Sequence, residues 1–353
     1  MWKLNSRGRK HTAKWLCLIL ILALALSGCG LGNGVQEGSR TGDGDFLKIG
    51  LVTGQDGTQD PIYQKAWDGF LKAEQELNVG IGYIKAKNVK EYPAKMAELK
   101  SKGYQVIVTI GVDAVEAVLD AAAKNPETKY ICLDSSLTGE IPANVLGVTY
   151  KVEEASFLAG YLAGKMTKSR VVGFISGDNK DNSLRYYYGY KAGLRLANPG
   201  SEMMKGLAGT FTNKERLKVM TERMLKSKAD VVFHVAGSAG KGMIETMAQA
   251  GKYSIGAYED QSHLAPDSVL TSVIVNHDEV VYKIIEKLQN KTLTFGQNSV
   301  CGLAENAVSL AEPTAGVVPD AVYAKVLEYK EKITAGELVI PATENEYLSF
   351  TDN

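Results

Sequence analysis

The residues best suited to bind or convert a small molecule lie in one stretch, Val231 to Gly242 (VVFHVAGSAGKG). Its first half is a β-branched and aromatic run, which is typical of a strand buried on both faces. Its second half, from Gly237 and Ser238, predicts a tight turn that leads into a helix. Ligands of parallel sheets bind at the carboxyl ends of the strands, where glycines let them approach the backbone. We therefore favour a glycine-lined ligand site, to which helix N–H groups contribute.

Three sharper interpretations of this turn can be compared with its residues, and two of them fail. A phosphate-binding P-loop would need glycine at Val235 and Ser or Thr at Gly242, and the glycine spacing is the reverse of the dinucleotide fingerprint. The run from Ala236 to Gly240 (AGSAG) is one residue away from a nucleophile elbow, and Asp260 and His263 follow in the order of α/β-hydrolases. A serine hydrolase is thus one alternative to a binding site, and a turn that only packs helix on sheet is another.

Carboxylates follow several of the predicted strands. Asp56, Asp60, Asp113 and Asp260 lie just past strand ends or in the loops there, and Gly111 ends an apolar strand. Carboxylates in that position suit sugar hydroxyls or ring N–H donors. Single carboxylates are as often helix caps, and Asp113, directly before an alanine-rich helix, is the clearest cap candidate. We take all five residues as candidate ligand contacts.

Tyrosines cluster at the start of a predicted helix, at Tyr186, Tyr187, Tyr188 and Tyr190. Flat ligand rings bind by stacking on aromatic faces. At helical spacing Tyr186 and Tyr190 share a face, whereas Tyr187 points elsewhere. Most of the cluster is expected to be core or surface, and Tyr187 is our candidate for ligand stacking.

The elements that position these residues alternate regularly from Leu47 onward. Strands are predicted at Lys48–Thr53, Val79–Ile84, Tyr104–Ile110, Lys129–Leu133, Val145–Tyr150, Arg170–Ser176, Val231–Ala236, Tyr253–Glu259, Val269–Val275 and near Ala307–Leu310. Helices are predicted at Pro61–Leu77, Glu91–Lys102, Asp113–Lys124, Glu153–Met166, Leu184–Leu196, Lys214–Lys226, Met243–Ala250, Asp278–Gln289 and Asp320–Ala335. This alternation indicates the α/β class with parallel, doubly wound sheets.

The alternating pattern occurs twice, which predicts two similar lobes with a hinge and a cleft between them. We place lobe 1 at residues 47–150 plus about 276–300, and lobe 2 at residues 151–275 plus about 301–345. The chain is expected to cross the hinge more than once.

Residues 1–28 are interpreted as a lipoprotein signal peptide. A basic segment precedes an apolar run, Trp15 to Leu26, which is too short to span a bilayer. The run ends in Leu26-Ser27-Gly28-Cys29, which resembles a bacterial lipobox. In such motifs the signal is cut before the cysteine, whose thiol carries a diacylglycerol. We expect a lipid anchor at Cys29 on the extracytoplasmic face of the cell membrane, followed by a flexible tether over residues 29–46.

Composition excludes several function classes. The chain has 353 residues and a 45% hydrophobic share, which support a large core. Its 40 basic residues balance 40 acidic ones, and the basic residues of the signal peptide shift the remainder toward acidic, so no basic stripe suits nucleic acid. Cys132 lies in a strand pattern and predicts a buried thiol, and the four histidines show no metal-ligand spacing. We expect no metal, no cofactor and no nucleic-acid partner.

Six stretches carry a family resemblance. They are Ala66–Gly69 (AWDG), Ser156–Gly160 (SFLAG), Gly173–Gly177 (GFISG), Asp230–Gly237 (DVVFHVAG), Ile255-Gly256 with Asp260-Gln261, and Val269–Val273 (VLTSV). Over roughly Leu47 to Leu338 their order resembles the basic membrane protein family, also called PnrA-like or Med-like. The resemblance implies a type I periplasmic-binding-protein fold and a non-catalytic substrate-binding lipoprotein of an ABC importer. It further implies permease and ATPase partners and capture of nucleosides, chiefly purine nucleosides.

Position by position, the resemblance is mixed. Tyr63 stands where the family has a polar asparagine, and Tyr187 keeps an aromatic at the start of its helix. Asp260 is kept, whereas Tyr258 replaces an acidic residue and Val275 replaces a lysine. We retain Tyr63 as a candidate ligand contact. A Med-like regulatory or structural lipoprotein with a repurposed pocket is the alternative to a nucleoside importer.

Overall fold

The computed structural model describes residues 34–40 and 46–351. The predicted signal peptide and Cys29 lie outside the described residues. From Gln36 onward the described chain belongs to one compact unit.

The described part contains thirteen strands and ten α-helices, besides short 3-10 turns. The strands are β1 (Gln36–Glu37), β2 (Lys48–Thr53), β3 (Gly80–Lys85), β4 (Val106–Ile110), β5 (Lys129–Leu133), β6 (Val145–Tyr150), β7 (Val171–Ser176), β8 (Glu202–Leu207), β9 (Val231–Val235), β10 (Tyr253–Tyr258), β11 (Val269–Val275), β12 (Gln297–Cys301) and β13 (Val308–Leu310). The helices are α1 (Pro61–Glu76), α2 (Tyr92–Ser101), α3 (Val115–Lys124), α4 (Val152–Met166), α5 (Asp181–Ala197), α6 (Lys214–Lys226), α7 (Gly240–Gln249), α8 (His277–Gln289), α9 (Asp320–Thr334) and α10 (Glu344–Ser349).

These strands form two sheets. One has seven strands in the order β1-β3-β2-β4-β5-β6-β12, and the other has six in the order β13-β11-β10-β9-β7-β8. All neighbouring pairs are parallel except β1 with β3 and β13 with β11. The predicted fold class of two α/β lobes is confirmed, with one antiparallel strand at an edge of each sheet. Lobe 1 below denotes the seven-stranded sheet with its helices, and lobe 2 the six-stranded one.

The chain passes between the two sheets three times, after β6, after β11 and after β12. The connecting segments are bonded to one another. Lys151 N–H donates to the carbonyl of Cys301 at 2.8 Å, and Asn276 N–H donates to that of Ala307 at 2.9 Å. The hinge is therefore a set of hydrogen-bonded strands, each leaving or entering a sheet.

The buried helix α4 packs against α5 at very short range. A Cβ added at Gly160 would lie 2.0 Å from the carbonyl oxygen of Tyr190, and one at Gly193 would lie 1.9 Å from that of Phe157. Glycine at these positions lets the two backbones touch. The apolar stretch SFLAG, part of the family resemblance, is thus the packing face of the helix at the centre of the molecule.

Four elements were not anticipated from the sequence. β8 and β12 each pair on one side only, and their residues are mostly exposed or half-buried, so neither shows the apolar run of a central strand. α10 is one short C-terminal helix. The other expected helices and strands are present with boundaries shifted by at most a few residues. Cys132 is buried and free, as predicted.

The fourth unanticipated element, β1, lies in residues 29–46, where a flexible tether was expected. It pairs with β3, and Ser39 Oγ and Arg40 N–H both donate to the carboxylate of Glu74. Residues 36–40 are therefore part of the folded unit. The unpaired edge of β3 and the buried Glu74 carboxylate supply the partners that order them.

Candidate functional site

Asp134 and Tyr258 lie at the carboxyl ends of strands that belong to different sheets. Asp134 follows β5 in lobe 1, and Tyr258 is the last residue of β10 in lobe 2. Burial raises the pKa of Tyr258, and the negative charges of Asp134 and Asp178 raise this pKa further. The two residues thus lie within electrostatic reach across the lobes, in the position where α/β sheets bind ligands.

Both residues adopt a backbone conformation that side chains disfavour. The φ angle is +54° at Asp134 and +74° at Tyr258. Asp tolerates this left-handed region, but a bulky aromatic rarely enters it, and such strain costs about 1–3 kcal/mol. Strain of this kind concentrates at binding sites. The two sheets each contribute one strained residue at the same place.

The Asp134 carboxylate is half-buried and accepts no hydrogen bond from the described residues. Burial raises its pKa, and the neighbouring His277 opposes that rise. In lobe 2, the carboxylate of Asp178 accepts Ser183 O–H at 2.6 Å and Lys180 N–H at 3.2 Å. The site therefore holds one free acceptor from lobe 1 and one partly used acceptor from lobe 2.

Tyr186 of α5 packs behind Tyr258. The two ring centroids are 6.3 Å apart at an interplanar angle of 67°. Tyr186 is 1% exposed and Tyr258 is half-buried, so Tyr186 supports the more accessible ring of Tyr258. Arg185, the preceding residue, donates two hydrogen bonds to the buried Glu153 carboxylate at 2.6 and 2.9 Å. This pair fixes the start of α5 against α4.

Two unpartnered polar atoms lie where the chain crosses between the lobes. The rings of Tyr150 and His277 meet edge to face at 5.1 Å, with exposed fractions of 3% and 6%. Tyr150 Oη and His277 Nε2 have no hydrogen-bond partner among the described residues. Burial lowers the pKa of His277, and the negative charge of Asp134 opposes this shift. A buried unpaired polar atom costs about 1–3 kcal/mol, which an occupant with a matching group offsets.

The glycine turn after β9 is built on His234. A Cβ at Gly240 would lie 1.9 Å from its ring, so only glycine fits over the imidazole. His234 Nε2 lies 2.8 Å from Gln261 Oε1, an oxygen that also accepts Ala257 N–H at 3.2 Å. That oxygen acts as an acceptor, so we assign the proton to Nε2. Burial lowers the pKa of His234 to about 4, although the bond to Gln261 opposes this. His234 is thus a neutral brace that ties the turn to the loop after β10.

Gly237 and Ser238 form the exposed tip of this turn. Gly237 has φ +53°, and Ser238 Oγ donates to the carbonyl of Phe211 at 3.3 Å. His263 Nδ1 contacts the carbonyl of Asp260 at 3.2 Å. No described histidine forms a hydrogen bond with Ser238, so the elbow hypothesis finds no general base in the described structure.

Two of the candidate carboxylates act as local caps. Asp60 Oδ1 accepts the N–H of Ile62 at 2.9 Å at the start of α1. Asp260 Oδ1 accepts the N–H of Ser262 at 2.9 Å in the loop after β10. Both still lie at the carboxyl edge of their sheets.

The cap expected at Asp113 is absent. Asp113 lies exposed in the 3-10 turn Val112–Ala114, and α3 begins without a side-chain cap, because the helix starts two residues further on. Asp56 is also exposed. Gly111, with φ +93°, donates its N–H to the carbonyl of Leu133 at 2.9 Å, directly beside Asp134.

Tyr63 is half-buried beside this edge. Its Oη lies 3.4 Å from that of Tyr92, and its ring packs over Gly54 after β2. Burial raises the pKa of Tyr63, and the neighbouring Tyr92 adds to the rise. The ring lines the lobe 1 side of the carboxyl edge.

Tyr187, the tyrosine predicted to stack on the ligand, does not contact Tyr258. Its ring packs edge-on against Phe174 at 5.4 Å and against Tyr188 at 5.0 Å, and Lys205 Nζ lies 4.3 Å above it. The tyrosine that meets Tyr258 is its neighbour Tyr186. Sequence spacing correctly separated these two side chains, but the structure brings the other one to the site.

The residues missed in the sequence are Asp134, Tyr150, Tyr186 and His277. Asp134 directly follows a predicted strand, so the rule that selected Asp56 and Asp113 applied to it as well. No local sequence pattern singles out Tyr150 or His277, because what distinguishes each is its contact with the other ring, which is distant in the chain. Among the described residues, no group of three or more acidic, histidine or cysteine side chains is arranged to hold a metal ion.

The amino-acid sequence is similar to a known protein family and to several of its members. A family model described as ABC transporter substrate-binding protein PnrA-like matches residues 46–344. Basic membrane protein B of Borreliella afzelii is 31% identical over 330 residues, covering 90% of this chain and 93% of the relative. Basic membrane protein A of Borreliella burgdorferi is 29% identical over 313 residues, covering 87% and 91%.

Solved structures show the same fold. A transcriptional activator of the comK gene from Bacillus halodurans superposes with TM-score 0.74 at 21% identity, covering 83% of this chain and 99% of the other. An ABC transporter solute-binding protein from Aeropyrum pernix K1 gives TM-score 0.70 at 22% identity, covering 86% and 96%.

Proposed function

Because the chain belongs to the PnrA-like family of ABC transporter substrate-binding proteins, we propose that it captures a nucleoside-like ligand between its lobes for an ABC permease and its ATPase. The observation that supports this most directly is the meeting of Asp134 and Tyr258 across the two lobes. A ligand held there contacts both lobes at once, which is how closure of a two-lobed binding protein is coupled to binding.

The side chains at this junction suit a flat ring that carries N–H donors. Tyr258 offers a stacking face, and the Asp134 carboxylate is a free acceptor. A purine nucleoside is the first candidate. The stacking role that spacing suggested for Tyr187 is here proposed for Tyr258, supported by Tyr186.

The remaining wall is proposed to come from loops at the same sheet edges. Gly111 and Tyr63 belong to lobe 1, and Gly237 and Ser238 belong to lobe 2. The exposed or capping carboxylates are proposed as outer contacts for sugar hydroxyls: Asp56, Asp60, Asp113 and Asp260. We propose no catalytic role for Ser238, since its hydroxyl donates to a backbone carbonyl.

A second candidate function is a Med-like regulatory lipoprotein that keeps the fold with a repurposed pocket. The likeness to the comK activator from Bacillus halodurans favours it, as does the presence of Tyr258 and Val275 where the family resemblance implies an acid and a lysine. Ligand binding distinguishes the two candidates.

A ligand screen tests the importer proposal. In a thermal-shift screen of the mature chain, a purine nucleoside should raise the melting temperature, since a ligand at a hundred times its Kd adds about 2.7 kcal/mol to the free energy of unfolding. Calorimetry should show that Asp134→Asn weakens binding about tenfold or more, as expected for a lost charge-assisted contact, whereas Asp120→Asn on the exposed face of α3 has no effect. Absence of binding by any nucleoside at millimolar concentration would remove the nucleoside proposal.

We also propose that Cys29 is lipidated and holds the protein on the extracytoplasmic face of the membrane. The motif Leu26-Ser27-Gly28-Cys29 supports this. Within residues 34–40 and 46–351, no helix has the length and apolar character of a membrane span. Cys29→Ser should move the protein from the membrane to the soluble fraction on cell fractionation. A variant that stays in the membrane at wild-type levels would contradict the lipid anchor.

A further inference from the structure

The charges around Asp134 lead to a further inference, which rests on the proposed function. We propose that the site selects a ligand whose flat ring carries a positive charge, such as an N-alkylated or protonated nitrogen heterocycle, over a neutral nucleoside. Asp134 would hold the charge, and the half-buried ring of Tyr258 would stack on the ligand ring.

Two carboxylates at the site lack a cationic partner. Asp134 accepts no hydrogen bond from the described residues. Asp178 accepts only neutral donors, the hydroxyl of Ser183 and the backbone N–H of Lys180. The negative charges of both carboxylates raise the pKa of Tyr258, so both lie within electrostatic reach of that side chain. Half-buried carboxylates without a counter-ion favour a cation, because desolvation is otherwise uncompensated.

Two cationic side chains associated with His277 and Tyr186 are already paired. Lys65 Nζ lies 2.8 Å from Asp278 Oδ2, and Arg185 makes its two-pronged contact with Glu153. Burial lowers the pKa of His277, which disfavours a positive charge on this ring. Neither Asp134 nor Asp178 forms an ion pair among the described residues, so a cationic ligand would supply the missing partner.

The aromatic rings reinforce this preference. The face of a tyrosine ring is electronegative and attracts ammonium, guanidinium and alkylated-ring cations, by about 0.5–2 kcal/mol. Tyr258 presents such a face, and the edge-to-face contact with Tyr186 at 6.3 Å holds it in place. A carboxylate beside an aromatic face is the arrangement that binds a cationic ring better than its neutral counterpart.

The unpartnered atoms of Tyr150 and His277 are an independent sign of an occupant. Both side chains are more than nine-tenths buried, and both lie in the field of Asp134. Tyr150 Oη is a donor without an acceptor. His277 Nε2 is likewise a buried polar atom without a partner among the described residues. A polar ligand substituent, or a water ordered by it, supplies the missing partners.

Three related nucleosides test the inference by calorimetry at pH 7 on the mature chain. 1-Methyladenosine is a cation, and N6-methyladenosine is its neutral isomer, so the pair differs in charge at constant composition. Adenosine is the unmethylated reference. We expect 1-methyladenosine to bind about tenfold or more tightly than both neutral compounds, the size of one charge-assisted contact.

Variants locate the preference. Asp134→Asn should abolish it, whereas Asp120→Asn, which removes an exposed carboxylate from α3 of the same lobe, should keep it. If Asp134→Asn does not fold, the Tyr258 pair replaces it: Tyr258→Phe should keep the preference and Tyr258→Leu should reduce it, because only the first retains a ring face.

Each outcome has one meaning. Equal or tighter binding of the neutral compounds overturns the inference and leaves the nucleoside proposal standing. A preference that survives in Asp134→Asn overturns the role of that carboxylate, and with it the inference. If none of the three compounds binds, both the inference and the nucleoside proposal fail.

Discussion

At the scale of single side chains, the proposed site consists of residues expected to contact the ligand and residues that support them. Tyr258 and Asp134, the proposed ligand contacts, have strained backbone conformations. His234 supports the glycine turn from below, as a fully buried neutral imidazole. His234, the histidine of the stretch Val231 to Gly242, therefore has a structural role. Its ionisation is expected to affect the stability of the fold.

The buried His234 should make stability depend on pH. Its pKa is about 4 in the folded protein and 6.5 in the unfolded chain, so the unfolded chain binds the additional proton between these values. Its contribution to stability is present above pH 6.5 and is lost as the pH falls toward 4. The loss is roughly 3 kcal/mol at about 1.4 kcal/mol per pKa unit. Urea unfolding at a series of pH values measures it.

The control for this prediction is His234→Gln, which keeps a donor for Gln261 but does not titrate. Other groups titrate in both proteins, so the difference between the two curves isolates His234. Parallel curves from pH 7 to pH 4 would show that His234 is not the group responsible.

Pairs of helices set the position of the supporting residues. α4 and α5 touch backbone to backbone through Gly160 and Gly193, and the Arg185–Glu153 pair joins their first turns. Tyr186 follows Arg185, so the same contact that stabilises the core orients the ring behind Tyr258. The helix pair is the rigid frame on which lobe 2 presents its half of the site.

Gly193→Ala should destabilise the protein although alanine favours helices. The helix propensity gain is about 1 kcal/mol. The new Cβ would lie 1.9 Å from the carbonyl oxygen of Phe157, a backbone atom that cannot rotate away. Separating two packed helices costs about 1–3 kcal/mol or more beyond that gain, so the clash decides the sign. Thermal unfolding should show a lower melting temperature.

Gly200→Ala is the matched control for the helix contact. It places the same methyl group in a surface turn, where the nearest atom is Arg170 Nη1 at 3.5 Å. Its effect should stay within about 0.5 kcal/mol of wild type. A Gly193→Ala protein as stable as this control would mean that α4 and α5 are not in backbone contact in solution.

We expect the two lobes to open and close about the three crossings, as the proposed capture of a ligand requires. In the described arrangement, Asp134 of lobe 1 lies within electrostatic reach of Tyr258 of lobe 2, and Tyr150 and His277 keep unpaired polar atoms at the crossings. These unfavourable terms are relieved by a ligand with complementary groups. The empty protein is therefore expected to open at the three hydrogen-bonded crossings.

Small-angle scattering should detect this opening. The radius of gyration of the mature chain should decrease when a saturating ligand is added. Asp134→Asn at the same ligand concentration should show less contraction, because its site is less occupied. An unchanged radius with calorimetrically proven saturation would show that the lobes are preclosed or rigid.

Local periodicity was enough to determine most of the framework. Central strands such as β4 and β9 are apolar on both faces, and helices such as α1 have a buried stripe, so a few residues of sequence are enough to predict each of them. The motifs that indicated the family are also short and local, so they too could be recognised from the sequence. The edge strands β8 and β12 escaped because a strand paired on one side has no strong pattern of its own.

Which residues form the site was decided by tertiary structure. Asp134 and Tyr258 are far apart in the chain and belong to different sheets, so no spacing rule relates them. Whether Tyr186 or Tyr187 reaches the site depends on how α5 is rotated against α4, which backbone contact at Gly193 sets. Positive φ at a tyrosine is likewise imposed by its surroundings. The sequence thus determined the two sheet edges at which we propose that a ligand binds, and long-range packing alone decided which side chains lie there.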